Sequence, residues 1–128
     1  MIIFCTFCSK EKSSDQGDIA AIARYESDRI KNVYNAAEAI GYEFRILSGK
    51  FGLVGPLDEI PYYDHLLNSS EVNNHAKKVS FDLVELQVDE VIFFTDKPET
   101  DPNLENYIEC MQIAVYKADV KLKIIYLP

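Results

Sequence analysis

Cysteine is scarce in this chain: Cys5, Cys8 and Cys110 are the three it has in 128 residues. So low and odd a count argues against a disulfide framework and makes the reducing cytoplasm the natural compartment. Cys5 and Cys8 form a CxxC, yet within a strand their side chains point to opposite faces, which disfavours a shared disulfide or metal. A second cysteine pair to complete a zinc site is missing, and no metal is expected. Long apolar runs are missing too. No stretch reaches the roughly 20 residues of a membrane span, so no membrane association is expected. The apolar start Met1 to Phe7 is too short for a secretory core and has no basic region before it. Positive charge is outnumbered, with 13 Lys and Arg against 21 Asp and Glu and a net charge of -8. Such a balance repels phosphate backbones and argues against bulk nucleic-acid binding, while leaving room for a small nucleotide or base at a local basic loop. The P-loop pattern GxxxxGK[ST], internal repeats and low-complexity tracts are all absent.

What is present reads as one α/β domain, residues 1–128, of the three-layer Rossmann-like kind, with a mainly parallel sheet of about four strands. Hydrophobic residues make up 48% of the chain, enough for a core without staples. Ile2 to Phe7 is a continuous apolar run, the mark of a strand covered on both faces. A polar loop follows from Ser9 to Asp18. Ile30, Val33, Tyr34, Ala37 and Ile40 recur at helical spacing, with Ser27 or Asp28 as cap and Gly41 as terminator. Ile19 to Tyr25 reads as an earlier helical turn or an ordered loop. Glu43 to Leu47 is a second strand. Ser70 is placed to cap a helix carrying Val72, Ala76, Val79, Leu83 and Leu86 on one face. Glu90 to Thr95 is a third strand. Asp101-Pro102 is a cap with proline at the first helical position, before the stripe Leu104, Ile108, Met111 and Val115. Leu122 to Leu127 is the last strand. Strand–helix alternation favours parallel pairing and right-handed crossovers, and such sheets bind ligands beyond the carboxyl ends of their strands. The segment from Ser48 to Ser69, about 20 residues, is long for a mere connector and reads as a binding loop.

Three loops at that edge hold the chemistry. Cys8-Ser9-Lys10-Glu11-Lys12 follows the first strand and offers two ammonium groups and small donors to an anion. Cys8 also reads as a nucleophile if the lysines favour its thiolate, or as a buried inert thiol. Ser48-Gly49-Lys50-Phe51-Gly52-Leu53 follows the second strand. Its glycines allow close backbone approach, Lys50 could pair with a phosphate or carboxylate, and Phe51 could stack on a base or pack inward with Leu53. Tyr62-Tyr63-Asp64-His65 supplies acid, base and hydrogen-bonding groups. Ser27, at a helix N-terminus on the same edge, reads as a cap or as part of an anion site. His75, in the second long helix, reads as a surface or partly buried residue.

Cys8 with Lys12, Tyr25 with Ser27, Leu47 to Leu53, and Tyr63-Asp64 together resemble a family of uncharacterised small bacterial and phage domains. Its members read roughly CxxxK, then YxS before a helix, then LSAKYGL, then PYD. The match spans about residues 2 to 67. Gly49 stands where the family has alanine, Phe51 where it has tyrosine, and Pro61 lies one residue early. The CxxxK…S pattern is also distantly similar to the lysine-bearing core of archaeosine synthase, which acts on a deazaguanine base in tRNA. That resemblance implies chemistry on a nucleotide, nucleoside or modified nucleobase. The expected catalytic residues are Lys12, Asp64 and Ser48. Cys8, Ser9, Lys10, Ser27, Lys50 and Tyr63 are the expected ligand-binding set. A non-catalytic ligand-binding domain and a protein-interaction module are the alternatives, and a homo-oligomer is permitted but not specified.

Overall fold

The computed structural model describes residues Met1–Pro128 and is mixed α/β. Strands β1 (Ile2–Phe7), β3 (Glu43–Ser48), β4 (Gly52–Val54), β6 (Glu90–Thr95) and β7 (Lys121–Tyr126) form one sheet in the order β4-β3-β1-β6-β7. Strands β2 (Ile19–Ala20) and β5 (Glu59–Ile60) pair antiparallel as a separate two-stranded sheet. Helices are α1 (Ala21–Arg24), α2 (Asp28–Ile40), α3 (Val72–Glu85) and α4 (Leu104–Ala118), with a 3-10 turn at Pro98–Thr100. No helix is long and apolar enough to cross a membrane.

The apolar run of β1 lies at the centre of the sheet, parallel to β3 on one side and to β6 on the other. Every residue from Ile3 to Phe7 is buried, as a strand covered on both faces requires. Edge strand β7, parallel to β6, alternates exposed lysines with half-buried Leu122 and Ile124 before ending in exposed Ile125 and Tyr126. Helix α2 packs on β1 and β3, while α3 packs on α4 and β4. Ser27 caps α2 by accepting the Ile30 N–H at 3.2 Å, and Gly41 ends it in the left-handed region.

Three local expectations are corrected. Ser70 does not cap α3; Glu71 occupies that place, and the Ser70 hydroxyl donates to Asn68 Oδ1 instead. Helix α4 begins at Leu104 rather than at Pro102, because Asp101 Oδ1 accepts the Asn103 N–H and holds the preceding residues as a turn. The sheet has five strands rather than about four. The added one, β4, folds back antiparallel on β3 inside the stretch read as one long loop. Gly52 makes that reversal feasible: its φ is +81°, and a Cβ there would sit 2.5 Å from Asp82 Oδ2. Asp82 needs that space to accept the Leu53 N–H at 3.0 Å.

Between Cys8 and Asp18 the chain is pinned rather than loose. Lys12 bridges Tyr25 in antiparallel fashion, and Glu26 N–H donates to Glu11 O at 3.0 Å. Arg24 is fully buried and has no carboxylate partner. Its Nη1 donates to the carbonyls of Ser13 (2.8 Å) and Asp15 (2.9 Å), and its Nη2 to those of Gly17 (2.6 Å) and Ile60 (3.2 Å). One guanidinium thus ties the loop to β5, while its Nε finds no partner.

Candidate functional site

Because β3 and β6 flank β1 on opposite sides, the chain reverses its direction of travel across the sheet at β1. In sheets of this kind the carboxyl ends at that reversal leave a crevice. Here the turn after β1 runs through it. Cys8 N–H continues the ladder to Leu47 O at 2.9 Å, Ser9 Oγ donates to Glu11 O at 2.7 Å, and Lys12 Nζ donates to Lys10 O at 3.4 Å.

Two clefts flank this turn and share Phe7 through Lys10, Asp101 and Leu104. The first, of about 230 Å³, is lined in addition by Lys12, Asp64, His65, Leu66, Asn103 and Tyr107. The second, of about 470 Å³, adds Glu11, Glu26, Ser27, Arg29 and Asp96. A further open depression of about 350 Å³ lies between Ser14–Asp18 and Pro61–Tyr62, away from the β1 turn. No group of three or more His, Cys, Asp or Glu side chains is arranged to hold a metal ion.

Of the residues expected from sequence, the first cleft gathers Cys8, Ser9, Lys10, Lys12 and Asp64, and Ser27 borders the second. Ser48, Tyr63 and Lys50 line neither. Ser48 is fully buried, and its Oγ accepts the N–H groups of Lys50 (3.1 Å) and Phe51 (3.0 Å). With both lone pairs engaged, its proton goes to Tyr63 Oη at 2.9 Å. Tyr63 in turn hands its own proton to Tyr25 Oη at 2.5 Å. This hydroxyl chain ties the end of β3, the end of α1 and the loop before α3 into one unit, so Ser48 and Tyr63 hold the wall behind the cleft. Burial pushes the Tyr25 hydroxyl up to about 12 and raises Tyr63 further, with the nearby Cys8 acting in the same direction. Both therefore stay protonated at neutral pH.

The lysines reach this wall from outside. Lys12 Nζ stands 4.6 Å from the centre of the Tyr63 ring and 5.8 Å from that of Tyr25. Lys50 is exposed and lies 5.4 Å from the Phe51 ring and 6.0 Å from the Tyr63 ring. Ammonium groups at these distances are held by the ring quadrupoles. Phe51 packs edge-on against Tyr63, with ring centres 5.0 Å apart, and so forms part of that wall.

Arg29, Tyr107 and Glu71 are contributors that the residue pattern did not single out, and His75, expected at the surface or partly buried, contributes as well. Arg29 Nη1 donates to Thr6 Oγ1 (2.6 Å) and Phe7 O (2.7 Å), and its guanidinium lies 3.5 Å from the Phe7 ring centre. Burial lowers it to about 10, against the pull of Asp96 and Cys8, so it remains a cation at neutral pH. Tyr107 falls among the apolar positions of α4 and looks like core from its spacing. Its Oη nevertheless accepts Leu67 N–H at 3.2 Å and sits 3.7 Å from Cys8 Sγ. His75 is half-buried; its Nε2–H donates to Ser48 O at 2.7 Å and clamps the turn after β3 to α3. All three cysteines are free and buried.

No family model, curated protein or solved structure matches this chain.

Proposed function

We propose that this protein is an enzyme acting on a nucleotide, nucleoside or modified nucleobase in the cleft after β1. The observation that carries the reading is convergence: Lys10, Lys12, Asp64 and Cys8, from two loops far apart in sequence, line one cleft of about 230 Å³. That volume is below the usual range for drug-sized ligands and suits a base or its sugar. In a chain of net charge -8, Lys10 and Lys12 place two ammonium groups at a strand end, faced by Asp64 and Asp101, an arrangement suited to a small polar ligand with one anionic group and not to a long polyanion. Lys12 holds an anionic group, or attacks as an amine once the ligand excludes water around it. Asp64 orients the ligand or serves as general base. The strand order, with α2 on β1 and β3 and with α3 on α4, supports a three-layer Rossmann-like arrangement. The distant similarity of the CxxxK…S pattern to the lysine-bearing core of archaeosine synthase supports the same choice of ligand.

Thermal-shift titration of wild type and Lys12→Ala against nucleotides, nucleosides and deazaguanine bases tests this. A ligand at a hundredfold excess over its Kd stabilises by about 2.7 kcal/mol. Stabilisation in wild type that is lost in the variant is the expected outcome; an unresponsive wild type across the panel removes the proposal.

One observation favours a second reading, a protein-interaction module. Leu57, Tyr62 and Leu66, on either side of β5, are 73%, 56% and 54% exposed, an apolar display that partner surfaces use. Under this reading the ligand panel gives no shift, and Leu57→Ser with Tyr62→Ser abolishes capture of a partner without altering the fold.

A further inference from the structure

We propose that Cys8 is the nucleophile of the first cleft and that His65, held by Glu71, is the base that takes its proton. This deepens the reading of the cleft as a catalytic one and rests on it. Cys5 and Cys110 are sealed at 0% exposure, whereas Cys8 borders the cleft.

The histidine is oriented from behind. His65 lines the same cleft, and its Nε2 lies 3.1 and 3.0 Å from the two Glu71 carboxylate oxygens. The Glu71 carboxylate oxygens only accept, so Nε2 carries the hydrogen and Nδ1 is the ring nitrogen left to take a proton. Nδ1 makes no hydrogen bond within the chain. Glu71 is itself fixed, since its Oε1 accepts Asn68 N–H at 3.2 Å. A base positioned by a third group is the arrangement that activates nucleophiles generally.

The sulfur is supported by Tyr107 as well. Leu67 N–H and the Cys8 thiol both approach Tyr107 Oη, at 3.2 and 3.7 Å. When sulfur gives up its proton, the bond reverses and the phenol O–H donates to the thiolate. Burial, followed by the charge of Cys8, raises the Tyr107 hydroxyl and keeps it protonated for that role. Lys10 and Lys12 add positive charge from the β1 turn, and Arg29 Nη2 donates to Cys8 O at 3.5 Å from α2. Asp64 and Asp101 oppose them across the cleft, while Tyr25 and Tyr63 behind the sulfur are neutral.

The step is addition to a trigonal carbon of the ligand bearing a C=N or C=O bond. The Sγ–H proton passes to His65 Nδ1, and a sulfur electron pair forms the S–C bond. The π pair moves to the heteroatom, which takes the proton back from Nδ1–H. Nothing is oxidised or reduced, and no other reactant is required.

The test is carbamidomethylation of the native full chain by iodoacetamide, followed by peptide mass mapping from about pH 6 to 9. Label is expected on Cys8. His65→Gln is expected to slow labelling about tenfold at neutral pH and to move the pH profile upward. Its amide still donates to Glu71, so a purely structural role for His65 would leave the profile in place. Glu71→Gln is expected to move the profile in the same direction by less, and it carries the test if His65→Gln fails to fold. Identical profiles in wild type and both variants overturn the proposal, as does label on Cys5 or Cys110 in the folded chain. The labelling needs no nucleotide. An unresponsive ligand panel with histidine-dependent labelling therefore sinks only the choice of ligand, and nucleotide binding with histidine-independent labelling sinks only this inference.

Discussion

Replacing Arg24 by methionine removes the one side chain that binds the β1 turn region to the β5 segment. The guanidinium makes four hydrogen bonds to carbonyls, of Ser13, Asp15, Gly17 and Ile60. A hydrogen bond to a charged group contributes roughly 1.5–3 kcal/mol net. Three of the four acceptors lie in a largely exposed loop, where water replaces the lost donor at little cost. The Ile60 bond is buried, and an orphaned carbonyl there costs about 1–3 kcal/mol. Against these losses stands the relief of a buried cation that has no carboxylate to offset its desolvation. The expected net loss is about 2–4 kcal/mol. For a domain of this length that lowers Tm by roughly 7–15 °C. Urea melts measure the loss, and limited proteolysis locates it, since cleavage between Ser13 and Gly17 should precede global unfolding. Arg24→Lys should fall in between, because one ammonium cannot reach all four carbonyls. A methionine variant with the wild-type midpoint and an uncut loop would refute the reasoning. It would mean that the loop is held by its backbone bonds to Arg24, Tyr25 and Glu26 alone.

Other outcomes follow from the same geometry. An alanine Cβ at position 49 would meet Tyr107 Oη at 2.8 Å and Leu67 N at 3.2 Å. Gly49→Ala should therefore destabilise by about 1–2 kcal/mol, overpacking outweighing the gain in backbone entropy. In a double-mutant cycle on urea melts, Tyr107→Phe should recover about 1 kcal/mol of that loss; simple additivity would sink the contact. Tyr63→Phe breaks the hydroxyl chain in the middle and should cost about 1–3 kcal/mol by equilibrium unfolding, with Tyr25→Phe/Tyr63→Phe less harmful than the sum of its parts. Alkali should destabilise the fold. Burial raises Cys110 to about 12 and Tyr25 to about 12, from ordinary values of 9.0 and 10.0. Their contribution is complete below pH 9 and drains away as the unfolded thiol and phenol ionise between about 9 and 12. Each group then costs about 1.4 kcal/mol per pH unit. Urea midpoints unchanged between pH 7 and 10.5 would contradict that.

The regular elements were legible because their signals are local. Continuous apolar β1, the 3.6-residue stripes of α2, α3 and α4, and the Ser27 and Gly41 caps each sit within a few residues of what they specify. Strands β4 and β5 were not, since Gly52-Leu53-Val54 and Glu59-Ile60 are too short to show a period and owe their conformation to β3 and β2. At the cleft, Cys8, Lys10, Lys12 and Asp64 stood out by residue type and by their place at strand ends. Ser48 stood out equally, but its sequence gives no sign that two backbone N–H groups claim its lone pairs. Tyr107 and Arg29 were hidden in helical stripes, where an aromatic or a long cation reads as packing or solvated surface. Their partners are Cys8, Thr6 and Phe7, which only the folded sheet brings near.

The contact between Cys8 and Tyr107 joins residues 99 positions apart. A chain emerging from the ribosome holds the thiol, both lysines and the binding loop long before it holds the helix that closes the cleft. Until α4 docks on α3, the wall carrying Tyr107 is missing and Cys8 stands uncovered. The cleft is therefore complete only after α4 has been made and docked, and closing so large a loop tends to be slow. Any reactivity built into it stays off until α4 docks, and the thiol's period of greatest exposure to oxidants falls before that docking.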